Sequence, residues 1–314
     1  MRVRHAVGAS LIALLAAGSL TGCATGPEFA PVIRDDFADP DVIVADGRYV
    51  AYSSHANLKN VPVAVSDDLE TWEMQADALP DLPLWIIPRK TWAPEVVEIE
   101  AGRYVMYFTA TNFQPALQCI GVAVSDDPLG PFEVAGDEML VCPPEEGGAI
   151  DATTVRVDDT WHLVWKNDGN AIGVDTWMQT APLTDDGLAL AGEPTRMLKQ
   201  DQPWEGTLIE APTIVAHDDG GFTMIYSANS YEGDEYAMGY AVADSLTGPW
   251  EKADGPWVST ESLEGAVRGP GGQDVVVAAD GNHRLLFHGW DSSYTYRMLH
   301  VGPLRWDGDV PVLG

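Results

Sequence analysis

Three acids stand at the head of short β-branched runs in this 314-residue chain. Asp39 precedes Pro40-Asp41-Val42-Ile43, Asp151 precedes Ala152-Thr153-Thr154-Val155, and Glu210 precedes Ala211-Pro212-Thr213-Ile214-Val215. Each lies against Pro or Ala and an apolar run, where an unpaired charge is costly unless it is paired or put to work. Convergent carboxylates can divide the labour of hydrolysis. One draws a proton from water, one protonates the leaving oxygen, and a third holds the acid protonated through its like charge. Inverting glycoside hydrolysis has this demand, with base and acid roughly 6.5–9.5 Å apart so that water fits between them.

Such acids are far apart in sequence, so the fold must bring them together. The run after Glu210 passes through the polar turn Asp218–Gly221 into Phe222-Thr223-Met224-Ile225-Tyr226, which reads as a hairpin. The same pattern recurs from Asp39, from Ala93-Pro94-Glu95, from Asp151 and from Gln273-Asp274, at steps of about 55–63 residues. Each unit has a second half that also repeats. Val63-Ala64-Val65-Ser66-Asp67-Asp68 resembles Val122-Ala123-Val124-Ser125-Asp126-Asp127 and Tyr240-Ala241-Val242-Ala243-Asp244-Ser245, and each leads to an aromatic that opens a fourth strand. Five units of four antiparallel strands, with no convincing amphipathic helix, predict an all-β five-bladed β-propeller over residues 37–314. The first strand of every blade then lines the axis, and the three acids converge in one structural slot.

The formal charge of −31, from 17 basic and 48 acidic side chains, argues against nucleic acid and anionic lipid surfaces as partners. Residues 1–23 read as a signal peptide, with Arg2, Arg4 and His5 ahead of an apolar stretch. Leu20-Thr21-Gly22-Cys23 resembles a lipobox, which makes Cys23 the expected lipidation site and the only membrane attachment. The expected location is the outer face of the cell membrane. Residues 24–36, with Gly26, Pro27 and Pro31, read as a linker. In an exported chain the remaining cysteines, Cys119 and Cys142, are expected to pair.

The blade openings resemble those of glycoside hydrolase family 43. The motifs are Ala38-Asp39-Pro40-Asp41-Val42-Ile43, Trp92-Ala93-Pro94-Glu95, Ile150-Asp151-Ala152 and Glu210-Ala211-Pro212, in family order at blade spacing. The resemblance implies that Asp39 is the base, Asp151 the modulator and Glu210 the general acid. It also implies inverting cleavage of arabinofuranosides or xylosides. Cys119 to Asp126, Lys166 to Asn170 and Gly269 to Asp274 look most like the arabinan-directed members, so an exo-acting α-L-arabinofuranosidase is expected, with an oligosaccharide or polysaccharide substrate. β-Xylosidase, endo-arabinanase and a glycan-binding lipoprotein without catalysis are the alternatives.

Around the acids, Trp92 adjoins a blade opening and is expected to stack on a sugar. Asn167 lies in a loop rich in hydrogen-bonding groups. Arg268 precedes the glycines of blade five, and His288 ends a second strand; these three are further candidates for substrate binding. Relatives often carry a Gly-His pair at the fifth opening, which helps hold a calcium ion or water at the axis. Here the stretch is Gly269-Pro270-Gly271-Gly272-Gln273-Asp274 and lacks the histidine, so Gln273 is the candidate there, as an axial or sugar ligand. No cofactor is expected to be required, a structural calcium at the axis is left open, and the protein is expected to be a monomer.

Overall fold

The computed structural model describes residues 29–314 apart from position 219. Cys23 and the signal segment lie outside the described residues. Five antiparallel sheets follow one another in chain order. Blade one holds Asp41–Ala45, Arg48–Tyr52, Val63–Ser66 and Glu73–Met74. Blade two holds Ile86–Glu100, Arg103–Asn112, Gln118–Ser125 and Glu133–Val134. Blade three holds Ala149–Val157, Thr160–Asn167, Trp177–Pro182 and Thr195–Lys199. Blade four holds Ile209–Ala216, Phe222–Ala228, Ala237–Ala243 and Glu251–Lys252. Within each blade the strands pair in sequence order, from the axis outwards.

Blade five is built from both ends of the described chain. Arg268–Val277, His283–Trp290 and Arg297–Asp307 come first, and the last of these pairs with Val310–Leu313 and with Pro31–Ile33. The segment expected to be linker therefore contributes a strand. Three residues beginning with Pro give little periodicity to read, and this pairing is available only once the ring has closed. Phe29 is buried just ahead of the strand, its ring 6.2 Å from Phe287, and its carbonyl lies 2.8 Å from His300 Nδ1. This shared blade leaves fewer open strand edges where the two ends meet.

The core follows the blades. Five clusters of buried side chains lie at the blade-to-blade junctions; one joins Val50, Tyr52 and Val65 of blade one to Val96, Met106 and Phe108 of blade two. Cys119 and Cys142 are joined by a disulfide in blade two. The helices among the described residues are a four-residue turn at Gly169–Ile172 and two 3-10 turns, Pro144–Glu146 and Pro203–Glu205. No helix among the described residues is long and apolar enough to cross a membrane.

Candidate active site

Each inner strand carries a residue in the left-handed region at its opening. These are Asp39 (φ 50°), Ala93 (39°), Asp151 (55°), Ala211 (49°) and Gly272 (54°). In blades two to five, the register of the inner hairpin breaks across the same point. Such bulges bend a strand and re-aim its side chains, and a left-handed non-glycine residue is a strained choice met often at functional sites. Gly272 is required. A Cβ there would come within 2.6 Å of the His288 ring and 2.7 Å of Asp39 Oδ1.

This slot corrects one expectation. Asp39 and Asp151 occupy it, but in blade four Ala211 does, and Glu210 is the residue before. The positions before the slot include Trp92 and Ile150, and both line one cavity with Glu210. That cavity, of about 290 Å³, is bounded by Asp39, Asp151 and Glu210 together with His55, Lys90, Tyr231, Tyr236 and Arg297. Residues more than a hundred positions apart thus share one pocket.

Asp39 is held as a carboxylate. Its Oδ2 accepts the Ser54 hydroxyl at 2.5 Å, its N–H donates to His288 Nδ1 at 3.0 Å, and Arg297 Nη1 lies 3.4 Å from Oδ1. Burial pushes its pKa up, but Arg297 chiefly, with His288 and Ser54, holds it well below the usual carboxylate range. Ser54 also accepts the Ala93 N–H at 2.9 Å, which ties Asp39 to blade two.

Asp151 is displaced in the opposite direction. Burial first, and then the charge of Glu210, push it up to about 8, with Lys166 pulling back. Its Oδ2 accepts the N–H of Ala211 at 3.0 Å. Glu210 is held at both oxygens: Tyr236 donates to Oε1 at 2.8 Å, and Lys166 Nζ lies 3.3 Å from Oε2. Two carboxylates that share a site keep a proton between them, and the titration belongs to the pair.

The other sequence-based candidates separate. Trp92 lines the pocket. Asn167 does not: it is buried, and its side chain binds the carbonyls of Glu146 and Asp175 and the N–H of Trp177, so it pins the loop. Arg268 turns away, donating to the Tyr294 hydroxyl and lying over its ring. His288 is fully buried behind Asp39 and stacks on Tyr236 at 5.8 Å, so it supports Asp39 and does not line the pocket. Gln273 lines a small axial cavity of about 30 Å³ that shares Asp39 and Asp151 with the pocket, and its amide is used by Ala211 O, Ile225 O and the Ser227 hydroxyl. Side-chain direction at bulged strands is not encoded in the repeat, hence these four misplacements. Arg297, Tyr236 and Lys166 were missed; the last was visible only as part of a polar turn.

Beneath the pocket, Asp41, Glu95 and Asp274 line the axial cavity. Each caps a neighbouring blade: Asp41 accepts from Val96 N–H, Glu95 from Thr154 N–H and hydroxyl, and Asp274 from Val42 N–H. Burial, and for Asp41 and Glu95 the neighbouring acids, push all three up, Glu95 to about 8 and Asp274 to about 7. One oxygen of each carboxylate is taken by backbone, and the Gln273 oxygen takes the Ser227 hydroxyl. Among the described residues no group of three or more His, Cys, Asp or Glu is placed to hold a metal.

Comparison with known proteins gives a coherent picture. The family described as Glycosyl hydrolases family 43 matches residues 29–311. An extracellular endo-α-(1→5)-L-arabinanase of Thermotoga petrophila is 34% identical over 110 residues, which is 30% of this chain and 22% of that protein. Extracellular endo-α-(1→5)-L-arabinanase 2 of Bacillus subtilis is 25% identical over 265 residues, 74% of this chain and 52% of that protein. The chain thus spans about half or less of the length of these two relatives. The crystal structure of a thermostable family-43 glycoside hydrolase superposes with a TM-score of 0.76 at 27% identity, covering 88% of this chain and 92% of that one.

Proposed function

The chain belongs to glycosyl hydrolase family 43, and on that premise we propose that it is an inverting glycosidase of pentose polysaccharides that releases L-arabinofuranose from arabinan or arabino-oligosaccharides. One observation carries the reading: Asp39, Asp151 and Glu210 meet in a single pocket with opposite proton demands. A carboxylate fixed in its ionised form suits a base, and a neighbouring carboxyl pushed up to about 8 by burial keeps a proton in the site for an acid.

Water lies between Asp39 and the anomeric carbon. Asp39 takes its proton as the new C–O bond forms, while Glu210 gives the pair's proton to the departing oxygen as the glycosidic bond breaks. Asp151, anchored to the residue after Glu210, keeps that proton in reserve. Trp92 offers a face for the sugar ring, and Arg297 offers a donor beside it.

The exo preference rests on room. About 290 Å³ lies at the small end of ligand pockets, roughly 300 Å³ and upward, and favours one or two sugar units over a long cleft. Endo-arabinanase action is the second reading, since the two relatives named above carry that activity in their names. Incubation with linear arabinan, branched arabinan, arabinoxylan and xylobiose tests both: free arabinose from the start supports exo action, long oligomers support endo action, and cleavage of xylobiose alone rejects arabinosides. We further infer export and lipid attachment at Cys23, and action as a monomer. The word "extracellular" in the names of the same relatives supports the location.

A further inference from the structure

Lys166 is fully buried, yet its ammonium faces the pocket acids and not solvent. It lies one residue before the end of the second strand of blade three, paired with Ile150, the residue before Asp151. Its Nζ lies 3.3 Å from Glu210 Oε2 and 3.5 Å from Asp168 Oδ1, and its side chain has no exposure. Burying an ammonium costs several kcal/mol unless its partners return that energy. Three carboxylates in one pocket also pose a problem for catalysis, because without compensation their repulsion would make the acid pair grip its proton too hard to donate it. Two cations divide the load: Arg297 serves Asp39, and Lys166 serves Glu210 and Asp151.

We propose that Lys166, anchored by Asp168, is the positioning residue that fixes the Glu210 carboxylate and sets how tightly the Asp151/Glu210 pair keeps its proton. The titratable and charged groups around the pair are Lys166 from blade three, with Asp168 behind it, Tyr236 from blade four, Asp39 and His55 from blade one, Lys90 from blade two, and Arg297 and His288 from blade five. Lys166 is the one cation that touches Glu210 among the described residues. Removal of its charge raises the midpoint at which the pair loses its proton. Removal of the Asp168 charge frees more of the ammonium for Glu210 and lowers that midpoint. The effects are opposite in sign.

The proposal rests on the glycosidase reading for its role in catalysis but not for its electrostatics, so the test has two arms. In the first, carbon-13 NMR follows the side-chain carboxyls of the full chain against pH, with the pair assigned by difference from Glu210→Gln and Asp151→Asn. Lys166→Met should raise the pair's upper midpoint by about one pH unit, a tenfold change in proton affinity. Asp168→Asn should lower it, and Lys166→Arg, which keeps the charge, should leave it nearly in place. In the second arm, the alkaline limb of kcat/KM on an arabinofuranoside should move in the same directions. Thermal unfolding checks each variant. If Lys166→Met does not fold, the downward shift in Asp168→Asn carries the test. Folded variants with an unmoved midpoint overturn the proposal. A wild-type chain that cleaves no pentoside while the midpoints move as stated overturns the glycosidase reading and leaves the role of Lys166 standing.

Discussion

Oδ2 of Asp151 accepts the backbone N–H of Ala211 at 3.0 Å, across 60 residues of sequence. This bond fixes one acid to the chain directly after the other. Asp151 can thus sense the charge of Glu210 while its own position stays locked. Because burial, and then the charge of Glu210, push Asp151 up to about 8, activity should fall as pH rises through that value. Asp151→Asn removes the like charge that holds the proton, so its alkaline limb should move to lower pH, with kcat down roughly 10²–10⁴-fold. A pH profile of kcat/KM checks both.

The acid and the base should differ by leaving group. Glu210→Gln should lose most of its activity on natural arabinosides but much less on aryl arabinosides, whose leaving group needs little protonation. Asp39→Asn should fail on both kinds, because water has lost its base. Steady-state rates on a matched alkyl and aryl pair decide the matter.

The axial acids predict a stability that falls with pH. Asp41, Glu95 and Asp274 have folded-state values raised above those of the unfolded chain. The folded state then binds more protons than the unfolded one, so their contribution is fully present below the ordinary carboxylate range. It is lost as pH rises through about 7 for Asp274 and about 8 for Glu95. Glu95→Gln keeps an acceptor for Thr154 without the titration, and should flatten the decline in Tm between the ordinary carboxylate range and about pH 8. Differential scanning calorimetry at a series of pH values reads this directly.

Ring closure should depend on the N-terminal strand. Phe29 is buried against Phe287 and next to Gly302, whose added Cβ would meet the Phe29 ring at 2.7 Å. Phe29→Ala should cost about 3 kcal/mol, with a fall in Tm of roughly 6–12 °C. A circular dichroism melt measures it.

Much of this architecture is legible in the sequence, because a propeller repeats one local pattern. Asp39-Pro40-Asp41 and Glu210-Ala211-Pro212 announce themselves through an acid beside Pro or Ala and a β-branched run. What repetition cannot supply is the direction of side chains at the bulges. The repeat therefore marks His288 and Gln273 as ligands, although one supports Asp39 and the other lines the axial cavity. Nor does a repeat show what reaches in from another blade. Arg297 meets Asp39 across 258 residues, from a third strand with nothing in its sequence to mark it.

The central claim is that water, activated by Asp39, attacks opposite the oxygen that Glu210 protonates. The measurement that tests it most directly is proton NMR of the first-formed sugar, recorded before mutarotation, from an α-L-arabinofuranoside. The account predicts the β-anomer as the initial product. Initial release of the α-anomer would contradict it.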